Sequence, residues 1–176
     1  MIRGERIVLR AIEREDLPNY VQWLNDPVVL EHLGQYAPFS LVQDEQWFEQ
    51  MLQDQKQRNF AIEYECQHIG GAGFCNIDGH NQNAEVGLLI GIPELWDQGL
   101  GRQVLQLLLN FGFYQMNLHR IYLQVFSGNV RAVHLYETLG FQHEGRWRHA
   151  QFRHGRFQDM LWMGILRDEW DARAGR

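Results

Sequence analysis

The stretch Glu94–Leu109, ELWDQGLGRQVLQLLL, decides how the rest of the chain is read. Two glycines, Gly99 and Gly101, open a run in which Leu100, Val104, Leu107, Leu108 and Phe111 fall on one helical face. That periodicity predicts an amphipathic helix over 99–116 lying on a sheet, with its first turn facing outward. The unpaired N–H groups and positive end of such a turn suit a phosphate. Glycines at these positions let a diphosphate approach the backbone without Cβ clashes, and Arg102 adds a positive charge. A plain strand-to-helix corner satisfies the same spacing. The commoner phosphate signatures are missing: there is no GxxxxGK[ST], and no third glycine completes GxGxxG.

Outward from this turn, the elements fall in the order β-α-α-β-β-β-α-β-α-β-β. Arg6–Ile12 alternates and is rich in β-branched residues, as a strand is. Leu17, Tyr20, Val21 and Leu24 share a helical face that ends at Asp26-Pro27, a pair able to cap and start another helix. Ser40-x-x-Gln43 is a capping box, followed by Leu41, Trp47, Phe48, Met51 and Leu52 at helical spacing. Strands are predicted over 59–65, 68–78, 81–92 and 119–126, and a helix over 129–141 closed by Gly140. A final hairpin turns at His154-Gly155. These elements make an α/β fold with a mixed, mostly antiparallel sheet flanked by helices. Residues 1–176 are expected to form a single domain, with 171–176 loose.

A chain of 176 residues buries about 70% of its unfolded surface, so it needs no staple to hold a core. With 16 Lys+Arg against 22 Asp+Glu and a net charge of −6, it lacks the basic footprint of a general nucleic-acid binder. Cys66 and Cys75 form no CxxC and are expected to pack as small apolar residues. No His/Cys cluster has metal-ligand spacing. The charged N-terminus is unlike a signal peptide, and no apolar run approaches the roughly 20 residues of a membrane span. A cytoplasmic protein without nucleic-acid or membrane partners is expected.

Three segments, AEVGLLIG (84–91), LWDQGLGRQV (95–104) and NVRAVHLYETLGF (129–141), together resemble the GNAT family of acetyl-CoA-dependent N-acetyltransferases. Within it the chain is similar to the RimJ/RimL/SpeG branch, which acetylates protein N-termini, polyamines and related amines. The resemblance runs from RIVLRAIEREDL (6–17) to GRFQDMLWMGILRDEW (155–170). It implies acetyl-CoA as cosubstrate and a GNAT-like sheet. The family's [QR]-x-x-G-x-[GA] signature falls on 96–101, with Trp96 where Gln or Arg is usual. Trp96, Asp97, Gln98, Gly99, Leu100, Gly101 and Arg102 would then cradle the pyrophosphate. By the same resemblance, Leu89, Ile90 and Gly91 pair their backbone with the pantetheine amides, and Asn129 and Ala132 touch the cofactor. Asn129 reads equally as a helix N-cap.

Tyr136 matches the family's tyrosine that protonates the departing thiolate, a sulfur anion of pKa about 8.5 or above. It also belongs to a core stripe with Ala132, Leu135 and Leu139. Glu85 stands where relatives place a carboxylate that works through water as general base; an exposed strand residue is the other reading. Arg146, Arg148, Arg153 and Arg156 on the last hairpin suit a carboxylate-bearing acceptor, or form a solvated face. A protein or peptide N-terminal amine is therefore the first expectation for the acceptor. A small amine (polyamine, aminoglycoside or amino sugar) is the alternative, and a non-catalytic CoA-binding regulatory module is the third. Asp26, Glu31, Asp44 and Glu45, with Tyr36, Phe39, Trp47 and Phe48, line an acceptor pocket or pack two helices together. A homodimer is expected by analogy with the family.

Overall fold

The structure, a computed structural model, describes residues 1–36 and 38–174. Local chemistry sets most element ends. Asp26 Oδ1 accepts the Val28 amide at 2.8 Å and starts α2 (Pro27–Leu30) after α1 (Leu17–Leu24). Ser40 and Gln43 close a reciprocal capping box ahead of α3 (Leu41–Gln53). Gly140, at φ 104°, ends α5 (Val130–Leu139) with a left-handed residue. His154 and Gly155 both take positive φ, 47° and 74°, as a two-residue hairpin turn between β7 (Gln142–Arg153) and β8 (Arg156–Leu166) requires.

The remaining strands are β1 (Ile2–Arg3), β2 (Ile7–Arg10), β3 (Arg58–Tyr64), β4 (Gln67–Asp78), β5 (Asn83–Ile90) and β6 (Arg120–Phe126). They form one sheet in the order β1-β2-β3-β4-β5-β6-β8-β7. β1–β2, β2–β3, β3–β4, β6–β8 and β7–β8 are antiparallel, while β5–β6 is parallel. The α/β fold, its mostly antiparallel sheet and its flanking helices are those expected from sequence.

Contacts gather the chain into two compact units. The first holds Met1–Cys75 and Gly87–Leu107, and the second Asn76–Val86 with Leu108 onward. In the first, Ile12, Leu17, Tyr20, Trp23, Val29, Phe48 and Ala61 form a core beneath α1 and α3. In the second, Ile121, Leu123, Met163 and Ile165 are buried on β6 and β8. The helix α4 (Leu100–Asn110) buries Leu100, Val104, Leu105, Leu108 and Leu109, then loosens into a π-helical turn over Phe111–Gln115.

Three expectations are corrected. Residues 171–174 are not loose: they belong to α6 (Arg167–Ala174), anchored by Trp170, whose indole N–H donates to Asn110 Oδ1 at 2.9 Å. Its single large apolar residue left no helical period to read; 175–176 lie outside the described residues. Cys66 does not pack inside but is exposed at φ 62° in the β3–β4 turn. A short β1, unmarked in the sequence, hairpins onto β2 through Gly4.

Candidate active site

In the first unit, the glycine turn has the geometry of an anion cradle. The Gly99 carbonyl accepts the Gln103 amide at 3.2 Å, the first bond of α4. Gly99 is thus the N-cap, and the amides of Gly99, Leu100, Gly101 and Arg102 precede the helical ladder. Asp97 and Gly99 take φ of 61° and 78° with Gln98 between them on the negative side. Such alternation turns successive N–H groups to one side as a concave nest for anions. A Cβ at Gly99 would meet nothing within 4 Å, so backbone conformation, not crowding, calls for glycine there. Leu100 is buried and anchors the turn from below, while Asp97, Gln98 and Arg102 are exposed.

Two side chains brace this turn. Trp96, at the position where the signature departs, donates its indole N–H to the Ile90 carbonyl at 2.8 Å and meets the His32 ring edge-on. It clasps the turn to the end of β5. Arg6, unsuspected from sequence, donates to the Gln98 carbonyl at 3.2 Å and to Tyr64 Oη at 2.8 Å. Its backbone amide also reaches Gln103 Oε1 at 3.2 Å. Nothing in a lone arginine at a strand start announces a partner 92 residues away.

The parallel ladder joins only Asn83, Ala84 and Glu85 to Arg120, Ile121 and Tyr122, so Val86–Ile90 run on beyond it. A strand leaving its ladder carries backbone groups available to an added peptide-like chain. Leu89, half-buried, lies on this segment, and on the next two residues one backbone group each is already used. The Gly91 amide already donates to the Ile69 carbonyl at 2.8 Å, and the Ile90 carbonyl is taken by Trp96. Gly91 is glycine for packing: a Cβ there would run into the Trp23 indole.

In the second unit, Asn129 caps α5, its Oδ1 accepting the Ala132 amide at 3.2 Å. The cap uses the carboxamide oxygen, not the nitrogen. Two turns along α5 from Asn129, Tyr136 is half-buried against Phe141, and desolvation pushes its phenol up to about 12. Glu85 is half-buried on β5, accepting from Asn76 Nδ2 at 2.9 Å and Gln124 Nε2 at 3.2 Å. Two neutral amides hold the carboxylate in place without supplying a countercharge.

The arginine hairpin is not the free basic face that sequence suggested. Arg146 is paired with Asp159 at 2.6 Å, and Asp159 also accepts the His149 amide at 2.7 Å across an irregularity in the β7 register. Arg153 is buried with its guanidinium over Phe126. Arg148 and Arg156 remain exposed. In the helical excursion, Asp26 is spent as a cap, whereas Asp44 is buried, and desolvation lifts its carboxyl to about 6. Among the described residues, no group of three His, Cys, Asp or Glu gathers to hold a metal, and no helix is long and apolar enough to cross a membrane.

An anion nest at a glycine-capped helix, near the end of a strand that runs on past its parallel ladder, has the features that suit a phosphate-bearing cofactor, and the comparisons name the class: a transferase of the acetyl-CoA type. The chain belongs to the GNAT acetyltransferases: the Acetyltransferase (GNAT) domain family matches residues 6–142. It is an acetyl-CoA-dependent N-acetyltransferase. The spermidine N(1)-acetyltransferase of Escherichia coli K12 is 29% identical over 172 residues, covering 98% of this chain and 92% of that protein. An uncharacterized N-acetyltransferase, p20, of Bacillus licheniformis is 33% identical over 172 residues, covering 94% and 96%. The crystal structure of Vibrio cholerae spermidine N-acetyltransferase with CoA and spermine superposes with a TM-score of 0.89 at 31% identity, covering 95% of this chain and 99% of that one.

Proposed function

We propose that the chain, residues 1–176 acting as one catalytic domain, acetylates a polyamine. The observation that carries this reading is the near full-length likeness to a spermidine N-acetyltransferase with CoA and spermine bound, at a TM-score of 0.89. The peptide-amine reading rested on four hairpin arginines. With Arg146 paired to Asp159 and Arg153 turned inward over Phe126, the charge objection to a cationic acceptor falls to Arg148 and Arg156.

In this reading, the amides of Gly99, Leu100, Gly101 and Arg102 receive the pyrophosphate of acetyl-CoA, with Gln98 and Asp97 shaping the nest. Leu89 and the remaining groups of Ile90 and Gly91 meet the pantetheine arm, and Asn129 and Ala132 touch it from α5. The neutral amine lone pair attacks the thioester carbonyl carbon. The tetrahedral intermediate then collapses, breaks the C–S bond and expels the CoA thiolate. Tyr136 donates its proton to that sulfur and is reprotonated from solvent. The proton lost by nitrogen passes through water to Glu85, whose carboxylate is positioned by Asn76 and Gln124. A phenol at about 12 stays protonated at every working pH, so the acid form is always present.

Thiol release from acetyl-CoA tests the reading with spermidine, spermine, N-terminal peptides, an aminoglycoside and an amino sugar as acceptors. Polyamine turnover at least tenfold above the others in kcat/KM is expected. Preferential turnover of a peptide N-terminus would overturn it.

A further inference from the structure

Gly99 gives the anion nest its shape and also its weakness. Its φ of 78° lies in the left-handed region, which glycine enters without steric penalty, but glycine takes negative φ just as readily. A half-turn of the Gln98–Gly99 peptide plane about its flanking bonds would carry Gly99 from one side to the other. Packing does not oppose that turn: among the described residues, nothing beyond its chain neighbours lies within 4 Å of where a Cβ on Gly99 would stand.

The orientation of that plane decides what the nest offers an anion. A trans peptide holds its C=O and N–H on opposite sides. With the Gln98 carbonyl turned towards Arg6, the Gly99 N–H points the other way, with the donors of the nest. Turned over, the same plane would present a carbonyl oxygen where a donor stood. A site that attracts phosphate would then repel it.

Arg6 holds the plane. Its Nη1 donates to the Gln98 carbonyl at 3.2 Å and its Nη2 to Tyr64 Oη at 2.8 Å, with the guanidinium carbon 5.0 Å from the centre of the Tyr64 ring. Its backbone amide donates to Gln103 Oε1 at 3.2 Å. Residue 6 is thus gripped at both ends, by the first turn of α4 and by the last residue of β3. Ile7, the next residue, is fully buried and pairs directly across from Tyr64, which anchors the root of the arginine. A planar fork reaches two oxygens at once, where a lysine offers one point charge. Because the donor is a cation, the bond to the carbonyl is charge-assisted, and it polarises the peptide so that the Gly99 N–H donates more strongly.

We propose that Arg6 is a positioning residue for the cofactor: held by Tyr64, it latches the Gln98–Gly99 peptide in the orientation that aims the Gly99 N–H into the pyrophosphate nest. The assignment rests on the reading of that nest as the pyrophosphate site and is independent of which amine is acetylated. Arg6 meets the carbonyl side of the turn, so it acts through the backbone and not on the phosphate. The magnitude follows from populations. When a fraction of the free molecules carries the competent plane, apparent affinity is reduced by that fraction. A nest left in about one molecule in ten therefore costs about tenfold in CoA affinity, with no contact to the cofactor lost.

The test pairs the amide spectrum of 15N-labelled protein with calorimetric titration of CoA and 3′-dephospho-CoA, for wild type, Arg6→Gln, Arg6→Lys and Tyr64→Phe. In the wild type the Gly99 amide should give one sharp line that shifts as CoA binds. Arg6→Gln should broaden or split that line in the free protein, return it to one line at saturating CoA, and weaken CoA about tenfold. Arg6→Lys, which keeps the charge and loses the fork, should stay at least about threefold weaker than wild type. Tyr64→Phe keeps the ring and frees the arginine, and should weaken CoA about threefold. Dephospho-CoA should lose the same factors as CoA; a loss that vanishes with it would mean that Arg6 meets the 3′-phosphate, and overturns the latch. Full recovery in Arg6→Lys overturns it too, since charge alone would then suffice. A sharp, unshifted Gly99 line in Arg6→Gln or, should that variant not fold, in Tyr64→Phe overturns the latch at any affinity and leaves the nest standing. A wild-type Gly99 line unmoved by CoA overturns nest and latch together.

Discussion

Asp44→Asn carries a stability prediction that needs no substrate. Burial lifts the Asp44 carboxyl from its ordinary 3.8 to about 6, so the folded chain holds a proton that the unfolded chain releases earlier. Between about pH 4 and 6 the folded state therefore binds more protons, and stability falls as pH rises through that window. Above pH 6 the cost is constant: about two units at 1.36 kcal/mol each, or about 3 kcal/mol. Asparagine keeps the shape and a polar group but cannot ionise. Urea denaturation of both proteins from pH 4.5 to 8 should show Asp44→Asn gaining on wild type as pH rises, with a difference of about 3 kcal/mol established by pH 7 and flat beyond it. A difference curve independent of pH would refute the reasoning, since it would mean that the carboxylate is not held unpaired in the core.

Four further outcomes are expected. Tyr136→Phe should lower kcat about 100-fold with little change in either KM, the loss typical of a positioned general acid; an unchanged kcat would return Tyr136 to a packing role. The wild-type kcat/KM for spermidine should still be rising at pH 9, because the amine must lose a proton while a phenol at about 12 keeps its own; a descending limb centred below pH 10 would contradict that assignment. Gly99→Ala places a side chain at φ 78°, which costs about 1–2 kcal/mol, and should raise the KM of acetyl-CoA about tenfold by reshaping the nest. Trp96→Phe keeps the ring but removes the donor to the Ile90 carbonyl; a loss of about 1 kcal/mol and a KM for acetyl-CoA raised several-fold should be seen, where no change in KM would show the clasp to be structural only.

The sequence by itself determined the order of elements from β2 to β8, the glycine turn and the family to which the chain belongs. Those are local matters: helical and strand periodicities, the Ser40–Gln43 box and the left-handed conformations at Gly99, Gly140 and Gly155 are each decided within a few residues. Tertiary structure decided which polar groups are spent and which are left over. Arg146 looked like an acceptor ligand until the β7–β8 register set Asp159 against it, and Arg153 looked the same until it was buried over Phe126. Trp96 looked like a departure from the signature, yet it fastens the turn to Ile90. The helix at 167–174 stayed hidden because one tryptophan finding Asn110, 60 residues back, does more for it than any period in its own sequence. Asp44 sat unremarkably among four acidic residues. Only the packing of α3 on α1 takes its Oδ2 out of water without a partner, because burial is set by surroundings that no window of the chain contains.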